Sequence, residues 1–410
     1  MRCNSMYKGD IIMSNRNYYI DLQMSRLAPR QRESLQAQVS AIDYSLFDAL
    51  DHKDGETAKG VISPIGAVEV SDIAAREAEY RTIGLEAIRA CKVGAVLLAG
   101  GQGTRLGADG PKGSYNVGLT RDLYIFECLI NNLLDVTNEA GAFVPLYIMT
   151  STVNNDQTVS FFKEHNYFGY PEDYIKFFIQ EMVPAVDYQG RILMQNECKL
   201  VLSPNGNGGW FSSMAKAGIL EDVHARGVEW LNVFAVDNVL QRMADPVFVG
   251  ATIASGCDSG AKVVRKAAPG EKVGVLCRED GKPSIIEYYE MTGEMANLRR
   301  EDGELEYGFG VILNYLFSEK KLEEIMNNYM PIHVVEKKIP YMDENGNHIA
   351  PTEPNGYKFE TLVLDMVHMM DDCLAFEVIR EKEFAPIKNL HGVDSVDSAR
   401  ELLEKNGVKL

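Results

Sequence analysis

Residues 93–106 read Val-Gly-Ala-Val-Leu-Leu-Ala-Gly-Gly-Gln-Gly-Thr-Arg-Leu. The run from Val93 to Ala99 contains no polar side chain, which is the pattern of a parallel strand buried on both faces. Gly100, Gly101 and Gly103 follow within four positions, so the backbone can approach a ligand with its N–H groups exposed. The stretch therefore predicts the first core strand of an α/β sheet and an anion-binding loop after it.

Further apolar runs occur at residues 144–149, 175–179, 230–236 and 262–264, with room for helices between them. This alternation predicts a doubly wound, mostly parallel sheet with its ligand site at the carboxyl ends of the strands. Residues 271–291 and 307–313 combine Val, Ile and Tyr with turn residues, which predicts antiparallel strands or an edge extension that forms a lid.

Helical spacing of apolar residues predicts helices over residues 27–50 and 71–90. We divide the chain into an N-terminal helical segment (1–88), a central domain (89–330) and a C-terminal region (331–410) that completes the site.

Composition excludes several classes of protein. The 410 residues are 46% apolar and 24% charged, which predicts a folded protein. No run of residues resembles a membrane span. Residues 1–14 lack the apolar core of a secretory signal. The seven cysteines are odd in number and never form CxxC, which argues against disulfides and zinc and predicts a reducing cytoplasm.

The formal net charge of −18 disfavours nucleic acid and anionic membranes as partners. A phosphate site must therefore be built locally from backbone N–H groups, basic side chains and a divalent cation. Arg105 and Lys112 supply such charge beside the glycine loop. The loop matches neither the Walker sequence, which needs Gly-Lys-Ser/Thr, nor GxGxxG, because Leu106 occupies the last position. A purely structural glycine turn is the alternative.

Asp237 follows the apolar run 230–236, so its carboxylate is expected at the carboxyl end of a strand. Mg²⁺ binds through one or two carboxylates plus substrate phosphates, which makes Asp237 a candidate ligand for Mg²⁺ or Mn²⁺. A turn aspartate that ends the strand is the alternative.

The loop at residues 98–106, completed by Pro111-Lys112-Gly113, resembles the signature loop of the UDP-sugar pyrophosphorylases. Its spelling is similar to that of the UDP-N-acetylhexosamine pyrophosphorylase branch. Further segments resemble family blocks in family order: residues 147–151, 177–180, 204–209, 236–238, 260–264, 273–275, 286–288, 337–341 and 386–389. Together they cover about residues 90 to 390.

The resemblance implies a Rossmann-like nucleotidyltransferase core of the GT-A type. It also implies a reaction in which UTP and a sugar 1-phosphate give a UDP-sugar and pyrophosphate, by Mg²⁺-assisted in-line attack on the α-phosphorus. The implied catalytic residues are Arg105, Lys112 and Lys388, and the implied metal ligand is Asp237. The nucleotide would contact Leu98, Ala99, Gly100, Gly101, Gln180 and Gly206, and the sugar would contact Asn207, Gly274, Glu287, Tyr288 and Lys358. Without the resemblance, Lys388 would be interpreted as a solvated surface lysine.

Three positions depart from the N-acetylhexosamine branch. The branch commonly has a side-chain amide where this chain has Val311, and an aromatic pair where it has Leu362 and Leu364. The expected sugar is N-acetylglucosamine 1-phosphate. A valine cannot replace the hydrogen bonds of an amide, so a glucose 1-phosphate uridylyltransferase or a UDP-sugar pyrophosphorylase of broad specificity is the alternative. A non-catalytic UDP-sugar-binding protein is a further alternative, against which the intact Arg105 and Lys112 argue. A monomer is expected.

Overall fold

The computed structural model describes residues 16–51, 60–326 and 330–410, so the prediction for residues 1–14 lies outside the described residues. The α-helices are α1 Tyr18–Met24, α2 Pro29–Ser40, α3 Val70–Arg89, α4 Ile125–Ala140, α5 Asn155–Glu164, α6 Trp210–Lys216, α7 Ile219–Arg226, α8 Pro246–Ser255, α9 Gly293–Asn297, α10 Glu319–Met326, α11 Val363–His368, α12 Arg380–Glu383 and α13 Val396–Lys405. Short 3-10 helices span Tyr44–Asp51, Thr104–Leu106, Lys112–Ser114, Asn166–Gly169, Glu172–Tyr174 and Asn207–Gly209.

The strands are β1 Ile62–Pro64, β2 Ala67–Val68, β3 Val93–Leu98, β4 Leu146–Thr150, β5 Ile175–Ile179, β6 Met182–Pro184, β7 Val186–Asp187, β8 Met194–Asn196, β9 Lys199–Leu200, β10 Leu202–Pro204, β11 Trp230–Ala235, β12 Ser259–Arg265, β13 Val275–Glu279, β14 Lys282–Ile286, β15 Phe309–Ser318, β16 His333–Lys337, β17 Tyr341–Met342, β18 His348–Ile349, β19 Gly356–Glu360 and β20 Cys373–Glu377.

The chain divides into two compact units. Unit 1 consists of Met1–Ala58, Glu181–Gly209 and Met330–Val363, and unit 2 consists of Lys59–Gln180, Trp210–Tyr329 and Leu364–Leu410. The predicted division at residues 88 and 330 follows chain order, whereas each unit combines separate stretches of the chain.

Unit 2 is built on one large sheet with the order β2-β20-β12-β15-β11-β3-β4-β5. Strand β3 runs parallel to both of its neighbours, β11 and β4, and β4 runs parallel to β5. Every residue of β3 is buried. The prediction of an α/β fold with a mostly parallel central sheet is confirmed. Four of the five predicted strands begin within two residues of β3, β4, β5 and β11, and the run at 262–264 lies inside β12, which begins three residues earlier.

Strand β3 is covered on both faces. Val93, Ala95 and Leu97 belong to a core cluster that includes residues of α3 and α4. A side chain at Gly94 would instead meet Leu231 and other atoms on the opposite face. Burial on both faces explains why this strand is continuously apolar rather than alternating.

The predicted antiparallel strands at residues 271–291 and 307–313 are observed as β13, β14 and the start of β15, but β15 is not an edge extension. It lies in the interior of the sheet, antiparallel to both β11 and β12, so the edge alternative is wrong for this strand. Its long apolar run explains the position, because Leu316 and Phe317 on opposite faces are both fully buried. Strands β13 and β14 form a hairpin through Asp280 and Gly281, which both have positive φ, as a type I′ turn requires.

Unit 1 contains three small antiparallel sheets, with the orders β10-β6, β16-β19-β7 and β18-β17-β8-β9. Helices α1 and α2 and the 3-10 helix Tyr44–Asp51 contribute Ile20, Leu35 and Phe47 to a core that also contains Phe359. The predicted helical content of residues 27–50 is thereby confirmed. In the described part of the chain, no helix combines the length and apolar character needed to cross a membrane.

Candidate active site

The glycine loop is fastened at its base by backbone hydrogen bonds. Ala99 N donates to Met149 O on β4 at 2.8 Å, and Lys112 N donates to Gly101 O at 3.1 Å. The buried Asn154 side chain donates to the carbonyls of Ala99 and Gly101 at 3.0 and 3.2 Å. These bonds hold the carbonyl groups toward the protein.

The N–H groups of the same loop remain available. Among the residues that the structure describes, no acceptor pairs with the backbone N–H groups of Gly100, Gly101 and Gln102. A side chain at Gly101 would meet no atom within 4 Å, so the space above the loop is open. Free N–H groups beside open space are the arrangement that binds phosphate oxygens.

A lysine and an aspartate face each other beside this loop. Val236 N donates to Leu98 O at 3.1 Å, which continues the parallel pairing of β11 with β3 and places Asp237 at the start of the loop. The Nζ atom of Lys112 lies 4.0 Å from Oδ2 of Asp237. Both side chains are partly buried, with 16% and 27% of their surface exposed. The expected convergence of Lys112 and Asp237 at the carboxyl ends of β3 and β11 is thus observed.

Two further cations lie near Lys112. Burial lowers the pKa of Lys112; the Asp237 carboxylate opposes this shift, and the charges of Lys388 and Arg105 add to it. The lowered pKa shows that the Asp237 carboxylate does not offset the cost of burying the Lys112 ammonium beside other cations. An anionic ligand would offset it.

The segment that carries Lys388 is tied to the end of β11. Asn238, which is 2% exposed, donates through Nδ2 to Glu383 O at 2.7 Å and accepts from Ala385 N at 2.8 Å. Ile387 N donates to Asp237 O at 2.8 Å. Lys388 itself pairs with Asp394 at 2.9 Å and is 48% exposed.

Gln180 lies beside the first glycine of the loop. It is 7% exposed, and its Oε1 atom would lie 3.2 Å from a side chain added at Gly100. Gln180 N donates to Thr150 O at 2.8 Å, which extends the pairing of β5 with β4. A glycine at position 100 therefore leaves the Gln180 amide next to the loop backbone.

A second group in unit 2 contains three residues at the predicted sugar-binding and divergent positions. A side chain at Gly274 would lie 3.5 Å from Val311 and 3.7 Å from the Glu287 carboxyl carbon. Val311 N donates to Gly274 O at 2.9 Å. Tyr288, which follows Glu287 in the sequence, is 43% exposed and packs edge-on against Tyr289.

The remaining predicted residues belong to unit 1. A side chain at Gly206, where φ is +86°, would lie 2.2 Å from the Thr361 carbonyl, so only glycine fits. The Asn207 side chain accepts from Val363 N at 3.0 Å. Lys358 lies on β19 and is half-buried. The composition of the loop at residues 204–209 alone suggests a solvated surface loop. The structure instead packs it against residues 361–363.

The sequence interpretation missed two side chains that shape this region. Asn154 and Asn238 are buried amides that hold the loop and the Lys388 segment, as described above. Each follows a strand end, and buried amides in such places are normally hydrogen-bonded, which is the signal that could have identified them.

The structure also contains a group of possible metal ligands that sequence spacing does not reveal. His224 on α7 contacts Glu319 and Glu323 on α10 at 2.9 and 3.2 Å, and the three ligand atoms lie within 4.8 Å of one another. The hydrogen bond to Glu319 raises the pKa of His224. None of these residues belongs to the elements that carry Lys112 and Asp237.

The fold is shared with solved nucleotidyltransferases. It is similar to the UDP-N-acetylglucosamine pyrophosphorylase of Trypanosoma brucei, with a TM-score of 0.82 and 27% identity over 95% of this chain and 82% of that chain. The UTP–glucose-1-phosphate uridylyltransferase family model matches residues 60–408. The fold and loop thus define a uridylyltransferase, and the chain belongs to this family.

Individual relatives agree. The mouse UDP-N-acetylhexosamine pyrophosphorylase-like protein 1 is 38% identical over 392 residues, which is 88% of this chain and 76% of the mouse protein. The UDP-N-acetylglucosamine pyrophosphorylase of Saccharomyces cerevisiae is 37% identical over 362 residues, which is 85% of this chain and 75% of the yeast protein. The resemblance seen in the sequence is confirmed.

Proposed function

We propose that this chain condenses UTP with N-acetylglucosamine 1-phosphate to give UDP-N-acetylglucosamine and pyrophosphate. The observation that carries the proposal is the pairing of Lys112 with Asp237 at 4.0 Å, beside a loop whose N–H groups are free. The names of the yeast and Trypanosoma relatives support the choice of sugar.

The reaction would be an in-line displacement. A phosphate oxygen of the sugar 1-phosphate forms a bond to the α-phosphorus of UTP, and the bond from that phosphorus to the bridging oxygen breaks as pyrophosphate leaves. Lys112 and Arg105 stabilise negative charge on the phosphate oxygens, and Lys388 adds charge at the same edge of the sheet. Preorganised charge of this kind is usually the largest contribution to catalysis.

The residues present fit a magnesium ion. Asp237 offers a partly exposed carboxylate at the end of β11, and Mg²⁺ commonly uses one or two carboxylates together with substrate phosphates. Asp237 would hold the ion, which supplies positive charge to the nonbridging phosphate oxygens when bound.

The other residues would orient the two substrates. Gln180 would read the uracil beside Leu98, Ala99, Gly100 and Gly101, and Gly206 would also contact the nucleotide. Glu287 would accept hydrogen bonds from sugar hydroxyls, for which a carboxylate is suited. Gly274, Tyr288, Asn207 and Lys358 would complete the contacts to the sugar phosphate.

Val311 favours a second candidate, in which glucose 1-phosphate replaces the N-acetylated sugar. A side chain at Gly274 would lie 3.5 Å from Val311, so an apolar side chain stands beside a predicted sugar-binding position, where the family resemblance implies an amide. Discrimination by a missing hydrogen bond depends on whether a buried polar group is left unpaired.

Pyrophosphate release from UTP with a panel of sugar 1-phosphates tests both candidates. The first proposal requires the highest kcat/KM with N-acetylglucosamine 1-phosphate, and a higher value with glucose 1-phosphate would replace it by the second. In Val311→Asn we expect the ratio of the two kcat/KM values to move toward the N-acetylated sugar by about tenfold, the effect of one hydrogen bond. The ratio is its own control, because partial unfolding lowers both values equally.

We also propose that the enzyme works in the cytoplasm as a monomer. The six cysteines in the described ranges are all free, which suits a reducing compartment. Light scattering on the purified chain would measure the mass, and a dimer would overturn the second part of the proposal.

A further inference from the structure

Lys262 is a fully buried lysine in the middle of β12. None of its side-chain surface is exposed. Its Nζ atom donates to Arg242 O at 3.0 Å, to Asp245 Oδ2 at 2.9 Å and to Glu383 Oε2 at 2.5 Å. An ammonium group has three donors, so every hydrogen of this group is used.

The partners of Lys262 come from the two segments that flank the candidate catalytic residues. Arg242 and Asp245 follow Asp237 within eight residues, and Glu383 precedes Lys388 by five. The Lys262 ammonium therefore connects two segments. One follows Asp237, the proposed metal ligand, and the other precedes Lys388, the proposed catalytic lysine.

These two segments also meet directly at the site. The Asn238 side chain bonds to the backbone of Glu383 and Ala385, and Ile387 N donates to Asp237 O. The two segments are thus held together at two places, by the Lys262 cluster and by the hydrogen bonds of Asp237 and Asn238. A shift of Glu383 would be transmitted to Asp237 through a chain of short hydrogen bonds.

The charges in the cluster require all three partners. Burial raises the pKa of Glu383. Burial also opposes ionisation of Asp245, but Lys262 and Arg242 outweigh it and lower the pKa of that carboxyl. Removing the ammonium would leave Glu383 without its cation, and Asp245 with only the Arg242 guanidinium at 3.6 Å, so the two buried carboxyl groups would be driven apart.

We propose that Lys262 is a positioning residue for uridylyl transfer: by clamping Glu383 to residues 242–245, it fixes Asp237 and Lys388 in register across the site. The inference rests on the proposed function for the roles of Asp237 and Lys388.

Lys262→Met tests the clamp, with Val263→Ala as the control. Val263 is the next residue on β12 and is also fully buried, but it has no polar atom, so its truncation removes packing without the ion pair. In Lys262→Met we expect kcat to fall at least tenfold, the half-saturating Mg²⁺ concentration to rise several-fold and KM for UTP to stay within about twofold. Amide hydrogen exchange of residues 238–245 and 383–390 in the free protein should accelerate at least tenfold. Val263→Ala should change none of these below its melting temperature.

Glu383→Gln keeps an acceptor for the ammonium and serves if Lys262→Met does not fold. It should show the same changes with smaller magnitude. Unchanged exchange and unchanged Mg²⁺ dependence in either folded variant would overturn the proposal, as would equal changes in Val263→Ala. Failure of the proposed function would look different, because the wild type would then release no pyrophosphate while the exchange comparison would still report on the clamp.

Discussion

Two lysine–aspartate pairs in unit 2 are built from the same groups and differ in how fully they are satisfied. Lys262 meets Asp245 at 2.9 Å with no surface exposed, and its other two hydrogens are also taken. Lys112 meets Asp237 at 4.0 Å with 16% of its side chain exposed, next to two further cations.

The difference separates a structural pair from a functional one. A saturated buried cluster has no capacity for a ligand, so its contribution is to the order of the chain. A cluster with more cations than anions, beside unpaired N–H groups, is stabilised by adding negative charge. Proximity of opposite charges therefore does not identify an active site, whereas unsatisfied capacity does.

The largest expected effect is on activity, at the unsaturated pair. Lys112→Met should lower kcat/KM by about 10²- to 10³-fold, because it removes a preorganised cation from the transition state. The free energy of unfolding should stay the same or rise, since the lowered pKa shows that the fold disfavours this charge. Steady-state kinetics and urea unfolding measure the two quantities.

Lys92→Met is the matched control for Lys112→Met. Lys92 is an exposed lysine paired with Glu229 at 2.9 Å, and it lies at the opposite end of β3. It should retain full activity. Near-normal pyrophosphate release by folded Lys112→Met would refute the catalytic role.

The next effect is on stability, at the saturated pair. Asp245→Asn should lower the free energy of unfolding by about 3 kcal/mol, as expected when one partner of a buried ion pair is removed. The asparagine can still cap α8, where the Asp245 side chain accepts from Val247 N at 3.1 Å, so loss of the cap does not confuse the result. Tryptophan fluorescence during urea unfolding measures it.

The pH dependence of this contribution follows from the lowered pKa of Asp245. The stabilisation is present above the unfolded pKa of 3.8 and is lost as the pH falls through the lower folded value. The difference between wild type and Asp245→Asn should therefore be constant from pH 5 to 7. Asp371→Asn, which breaks an exposed pair with Lys321, should leave the unfolding midpoint unchanged.

A smaller effect concerns the alkaline limb of kcat/KM. The pKa of Lys112 is lowered from its ordinary value of 10.5, so the lysine loses its charge at a lower pH than usual. Because the charged form is the active one, kcat/KM should fall about tenfold per pH unit above this lowered pKa. Asp237→Asn should move the limb to lower pH, because the Asp237 carboxylate raises the pKa of Lys112. Lys112→Arg should move it to higher pH. If neither substitution moves the alkaline limb, the limb reports a titratable group other than Lys112.

The smallest expected effect is on stability, at the ion pair between His224 and Glu319, which is more exposed than either lysine–aspartate pair. His224 is 49% exposed, so its ion pair with Glu319 should contribute about 0.5 kcal/mol or less. Because the folded pKa is raised, the contribution is complete below pH 6.5 and disappears as the pH rises through the folded value. His224→Gln should destabilise slightly at pH 6 and not at pH 9. A larger loss at pH 9 would contradict this account.

Much of the central sheet could be predicted because its strands are buried on both faces. Residues 175–179 were predicted as a strand and form β5 with the same bounds, and residues 93–99 differ from β3 only at Ala99. The interior position of β15 could not be predicted, because an apolar run shows burial but not which strands lie beside it.

The candidate site shows a similar division. Lys112 and Asp237 converge because each follows a parallel strand of the same sheet, which strand order alone implies. The clamp at Lys262 was missed, since its partners Asp245 and Glu383 are far apart in the sequence. A lysine inside the apolar run Gly-Ala-Lys-Val-Val was the available signal, because a fully buried lysine needs an acidic partner.

The discontinuity of the two units has a consequence for synthesis on the ribosome. Unit 1 needs residues up to Val363, and the large sheet needs β15 and β20, so neither can close while only the first half of the chain has emerged. Until Phe309–Ser318 appears, β11 presents an unpaired edge that invites wrong partners. We expect a nascent chain halted before residue 309 to bind chaperones or aggregate, and one halted after residue 377 to protect its strands from protease.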